Sequence, residues 1–169
     1  PLFIRTSDIL TKEIGQSSPY PCDVNVLTVT LKVKLPMIDR PEYPSECKPC
    51  VTITGLRGSQ TDDDVALALR SDYPLSSTAI WTRNTGKLEL TVESGSIFVA
   101  GHDYTFNFTV VNQARAQCAV SPSIQTCMDA SESMVTDGTT VLDKQGAQAG
   151  DARPFTILRS YFMTKNIGQ

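Results

Sequence analysis

The chain carries one histidine, His102, and one tryptophan, Trp81, in 169 residues. With no second histidine and no Gly-x-Ser-x-Gly elbow, a Ser-His-Asp hydrolase site has nothing to build on. His102 therefore reads as a residue of the Gly101–Asp103 turn. Gly-rich phosphate loops and basic–aromatic interleaving are missing. Lysines and arginines are scattered and the net charge is −3, so no basic stripe points to nucleic acid and no acidic tail to a disordered arm. No apolar run approaches the roughly 20 residues of a membrane-spanning helix. Helical spacing is almost absent as well. Only Thr61 to Arg70 could form a turn of helix, and there Val65, Leu67 and Leu69 alternate as a short strand would. These gaps exclude the common catalytic and nucleotide-handling classes, and the chain is expected to be no enzyme and to need no cofactor.

What is present is alternation. Leu27, Val29, Leu31, Val33 and Leu35 fall on one face, with Thr28, Thr30, Lys32 and Lys34 on the other. The same two-residue period runs from Val51 to Leu56, from Lys87 to Glu93 and from Asp103 to Val111. Strands with one wet and one apolar face belong to antiparallel sheets packed in pairs. Asn84-Thr85-Gly86 is expected to close a hairpin between Thr78–Thr82 and Lys87–Glu93. Ser94-Gly95, Ala100-Gly101 and Asp137-Gly138 mark further corners, and the Pro-rich stretch Pro36–Pro49 reads as a long surface connection. The expected fold is all-β: an Ig-like antiparallel sandwich of about seven to ten strands.

The chain also repeats itself. PLFIRTSDILTKEIGQ at Pro1–Gln16 returns as PFTILRSYFMTKNIGQ at Pro154–Gln169, an offset of 154 − 1 = 153. Eight of the sixteen positions are identical: Pro1/Pro154, Ile4/Ile157, Ser7/Ser160, Thr11/Thr164, Lys12/Lys165, Ile14/Ile167, Gly15/Gly168 and Gln16/Gln169. Such a pattern is expected of one period of a tandem array plus the opening of the next, cut from a longer polypeptide. Residues 1–16 are expected to be the closing strand and linker of a preceding repeat. Residues 17–169 would then be the repeat unit, ending in the start of the next linker. The other possibility is that Pro1–Leu10 opens its own domain. A returning strand also raises exchange of strands between units, since an exposed sheet edge accepts any matching strand.

The segments TVTLKVKLP, VTITGLRGSQT, LALRS, TGKLELTVESG and VAGHDYTFNFTVVN, with the Lys12–Gln16 motif, carry a resemblance. Together they look like repeats of very large secreted proteins of unicellular algae and related protists, including flagellar-hair (mastigoneme-like) and other surface-filament subunits. The resemblance rests on strand patterns and glycine turns over somewhat more than half the chain. It implies a structural or adhesive array and transfers no catalytic residue.

Five cysteines and the single sequon Asn107-Phe108-Thr109 favour an oxidising, extracellular or cell-surface setting, with Asn107 as a glycosylation candidate. Cys47-Lys48-Pro49-Cys50 lacks the strand-before, helix-after context of a redox pair, so a local disulfide is expected there. A second is expected between Cys118 and Cys127, and the spacing of these pairs argues against a zinc site built from four cysteines. Cys22 is left unpaired, bridged to a neighbouring unit, or paired in place of one of these. Asp62, Asp63 and Asp64 are a weak calcium candidate, since a solvated acidic turn explains them without the spacing of a calcium loop. Trp81, Tyr73 and Tyr20 could form a sugar-stacking platform, although a strand tryptophan more often fills a core.

Function is expected to be structural: a repeat unit of an extracellular filament or surface coat whose partners are neighbouring copies of itself. An adhesin or carbohydrate-binding module, with glycans as partners, is the alternative. An accessory domain of a secreted enzyme is a third possibility.

Overall fold

The computed structural model of the chain describes residues 9–40, 42, 48–71, 74–126, 131–136 and 148–159. Within these, eleven strands follow one another and the one regular helical piece is a 3-10 turn, Ala149–Ala152. They are β1 (Ile9–Gln16), β2 (Val24–Val33), β3 (Met37–Ile38), β4 (Cys50–Thr54), β5 (Asp64–Ser71) and β6 (Leu75–Thr82). The rest are β7 (Lys87–Val92), β8 (Ile97–Phe98), β9 (Asp103–Val111), β10 (Ser123–Thr126) and β11 (Glu132–Ser133). The all-β sandwich expected from the alternation is what the chain forms. The strand count exceeds expectation because β3, β8 and β11 are two-residue pairings. Thr61–Arg70, ambiguous by period, supplies β5.

Nine strands form one antiparallel run in the order β1-β2-β9-β5-β6-β7-β4-β10-β11, with β3 and β8 paired apart from it. The run turns its corner at β5. Leu69–Ser71 pair with β9, whereas Asp64, Leu67 and Ala68 pair with β6 across an irregular register. A register break of this kind bends a strand and lets it serve two sheets. The two outermost strands of the run then meet. Just past β11, Val135 bridges Glu13 in parallel, its N–H donating to the Lys12 carbonyl and its carbonyl accepting the Ile14 N–H. Lys12 and Glu132 form an ion pair beside this bridge. The sheet therefore curls back on itself, and the edge of β1 is covered around Glu13.

Inward side chains fill the space between the layers. Trp81, Phe98, Phe106, Phe108 and Phe155 are fully buried. The rings of Trp81 and Phe108 lie 6.4 Å apart at 43°. Full burial of one such side chain stabilises the fold by about 1.5–3 kcal/mol. The outer face is polar, as the alternation requires, with the Thr30 and Thr105 hydroxyls 3.3 Å apart.

One expectation is corrected here. Residues 1–16 are expected to belong to a preceding unit, but β1 pairs with β2 of this sandwich from Ile9↔Val33 to Gln16↔Leu27, and Ile14 is buried in this core. The boundary expected after Gln16 thus falls inside the fold. Exchange of Ile9–Gln16 with another unit is not needed to complete the sheet. The physical reason is that Ile14 and Gln16 share the inward phase, so the strand is covered only when it lies against β2. Pro1–Asp8 and the returning residues 160–169 lie outside the described residues.

Because β2 and β9 are antiparallel along their length, the sandwich has two poles. The chain arrives at the pole holding Ile9, Val33 and the β3–β8 pair. The last described residues lie at the opposite pole, termed the departure pole, where the Leu158 N–H donates to the Pro19 carbonyl at 2.8 Å. No helix among the described residues is long and apolar enough to cross a membrane.

Candidate functional site

The departure pole is organised by three buried carboxamides. Gln16, Asn25 and Asn112 are each 0 % exposed. Gln16 continues the inward phase of Ile14, Asn25 that of Leu27 and Val29, and Asn112 that of Phe108 and Val110. Each strand thus carries its alternation one step past the apolar core and ends it in an amide.

These amides saturate one another. The Gln16 side-chain nitrogen donates to the carbonyls of Asp151 at 2.8 Å and Thr156 at 2.9 Å. Its oxygen accepts from the Phe155 N–H at 2.7 Å and from the Asn25 amide at 2.9 Å. Asn25 donates onward to the Asn112 oxygen at 2.8 Å and accepts the Ser17 and Ser18 N–H groups, each at 3.2 Å. Asn112 donates to the carbonyls of Ser18 and Tyr20, both at 2.9 Å. Gln16 and Asn25 thereby use two donors and two acceptors each, the full capacity of a carboxamide. Buried networks satisfied to this degree hold one geometry rather than several.

The network ties together the end of β1, the 17–23 loop, the end of β9 and the segment in which the chain departs. Phe155 sits at φ +53, a left-handed conformation that costs a non-glycine residue about 1 kcal/mol or more. Its bond to Gln16 and its completely buried ring offset that cost. Ile157 bridges Gln117 in both directions at 2.9 Å, and the Pro154 carbonyl accepts the Val120 N–H at 3.1 Å. The chemistry of this pole is cohesive. Its amides face each other and the backbone.

The sequence candidates lie elsewhere and do not converge. Asp62 pairs with the Arg83 guanidinium at 3.0 Å, Asp63 accepts the Arg83 N–H at 2.7 Å and Asp64 accepts the Ala66 N–H at 2.8 Å. Arg83 engages the first two carboxylates and Ala66 the third, and no group of three or more His, Cys, Asp or Glu among the described residues is arranged to hold a metal. Trp81 is 1 % exposed and donates its indole N–H to the Thr61 carbonyl at 3.2 Å, so it is a core residue and no sugar platform. Tyr73 lies outside the described residues. The His102 and Tyr104 rings pack edge to face with their centroids 4.8 Å apart, in the expected turn. Asn107 is half-buried on the outer phase of β9, between Thr28 of β2 and Arg70 of β5.

The cysteine pattern is also corrected. Cys50 is disulfide-bonded, but Cys118, expected to pair with Cys127, is a free and exposed thiol, as is Cys22. Cys118 sits beside Gln117 at the departure pole, whereas the β4–β10 pairing that ends at Thr126↔Val51 leads toward the other pole. The two ends of the expected loop are thereby drawn apart. Cys47 and Cys127 lie outside the described residues. Cys22 adopts φ +59, and its thiol is 3.6 Å from the Gln60 amide.

Sequence reasoning missed the three carboxamides. Their signal was a polar residue standing at an inward phase, together with the recurrence of Gln16 as Gln169. No protein-family model, curated protein or solved structure matches this chain.

Proposed function

We propose that this sandwich is a structural repeat unit of an extracellular filament or surface-coat protein, and that its work is assembly with like units. The observation that carries this is a division of labour within the repeated segment. Ile14 and Gln16, from the later part of the first copy, are buried in the strand that opens the fold. Pro154, Phe155 and Ile157, from the earlier part of the second copy, are buried in the segment that closes it. One complete sandwich draws on two successive copies, and a tandem array supplies them automatically. Positions identical between the copies include Lys12, Ile14, Gln16, Pro154 and Ile157, each tied to a contact described above.

An extracellular setting is part of the proposal. It rests on the Cys50 disulfide and on Asn107, whose outward phase leaves a sequon open to a glycan. Electron microscopy of the intact material is the test. Regular beads along a filament are expected. Dispersed monomers that bind glycans would instead favour the adhesin, and a parent polypeptide with a single copy would remove the array altogether.

A further inference from the structure

We propose that the arrival pole of each unit is a docking surface for the departure pole of the copy before it, so that its partner is a second copy of this sandwich. This rests on the array proposed above and adds its geometry. Among the described residues, the Leu158 N–H bond to the Pro19 carbonyl holds the closing segment to this unit. By the repeat, Phe162 is the counterpart of Ile9, the first residue of β1, since 162 − 153 = 9. Residues 159–161 alone separate them. Four residue-to-residue steps reach at most about 14 Å. A sandwich as long as the ten residues of β2 measures about 33 Å along that strand. A tether so much shorter than the bodies it joins brings opposite poles face to face.

The surfaces suit such contact. At the arrival pole Leu10, Ile97 and Val99 are 55 %, 44 % and 56 % exposed. Single exposed apolar residues are ordinary, but these gather where the chain comes in. The departure pole answers with half-exposed Tyr20 and Pro21 and with Val24, 55 % exposed. Three such side chains on each face are far fewer than the roughly 20–30 residues a side with which a free protein partner binds. A short tether raises the local concentration of the next pole to the order of millimolar, and under that condition a small apolar contact suffices. The occupant is therefore a tethered copy rather than an unrelated soluble protein.

The test uses the 169-residue chain continued past Gln169 by a second copy of residues 17–169, which preserves the period. Small-angle X-ray scattering should give one stiff rod with about twice the maximum dimension of the single chain, and the single chain should remain monomeric. Scattering from two beads in many relative orientations would overturn the docking. Ile97→Asp with Val99→Asp in the second copy should loosen the rod while leaving the melting temperature of the single unit within a few degrees. If that pair impairs folding, Val24→Asp in the first copy probes the opposite face. A rod unchanged by substitutions at either face would sink the proposal. This outcome is independent of whether the parent polypeptide is an array, which its copy number decides.

Discussion

Gln16 occupies an inward position where its strand would ordinarily place a leucine or valine, and its amide meets four partners there. Gln16→Leu keeps the approximate size and strands all four: the Phe155 N–H, one Asn25 N–H and the carbonyls of Asp151 and Thr156. Each buried polar group left without a partner costs about 1–3 kcal/mol. Partial rearrangement reduces the sum, so a loss of about 3 kcal/mol is expected, read as a lower urea midpoint at unchanged slope. A midpoint within error of the parent would mean that the network is ornamental. Gly86 is the second sensitive residue. It adopts φ +61, and a Cβ there would lie 2.3 Å from the backbone of Leu56. Gly95 shares the positive φ, at +78, but has open space around it. Gly86→Ala should therefore cost about 2 kcal/mol or more, a fall of roughly 4–8 °C in melting temperature, and Gly95→Ala clearly less. Equal effects at the two sites would show that the close approach to Leu56 does not matter.

At the scale of elements, strands were legible wherever a wet face and a dry face alternated, which is why β2, β7 and β9 fall within a few residues of their expected bounds. β1 was legible as a strand but not as a member of this sheet. Its partner, β2, is fixed by burial of Ile14 and Gln16 in a core that the local pattern does not describe. β5 was ambiguous because its exposed start, Asp64-Val65-Ala66, breaks the register while Leu67 and Leu69 turn inward. The closing contact could not be read at all. Val135 meets β1 through backbone groups, and backbone hydrogen bonds leave no side-chain signature. That contact makes a prediction. Val135→Pro deletes the N–H donated to Lys12 and uncovers part of the β1 edge. Hydrogen exchange at the Ile14 amide should accelerate at least tenfold, and dimers should accumulate at high protein concentration. Unchanged protection in a strictly monomeric variant would show that the edge is guarded by something else.

For the molecule as a whole, the continuous strand order and the return of Val135 to β1 gather the described strands around one shared core. Trp81 on β6 contacts Phe108 on β9, across the two layers. Its indole N–H is held by Thr61. The only tryptophan in the chain thus reports directly on separation of the sheets. In the native state its emission should be blue-shifted and poorly quenched by iodide. On titration with urea, the red shift of Trp81 and the loss of far-UV β signal should share one midpoint, as cooperative single domains of this size usually do. The same holds for the departure pole. Phe155 is buried in the common core and bonded to Gln16, so its segment should melt with the sheets and not before them. A tryptophan shift that precedes the far-UV change would mean that the layers part while their strands persist. Cohesion would then reside in each sheet separately, and a unit of that kind would yield at its centre before its poles when pulled from both ends.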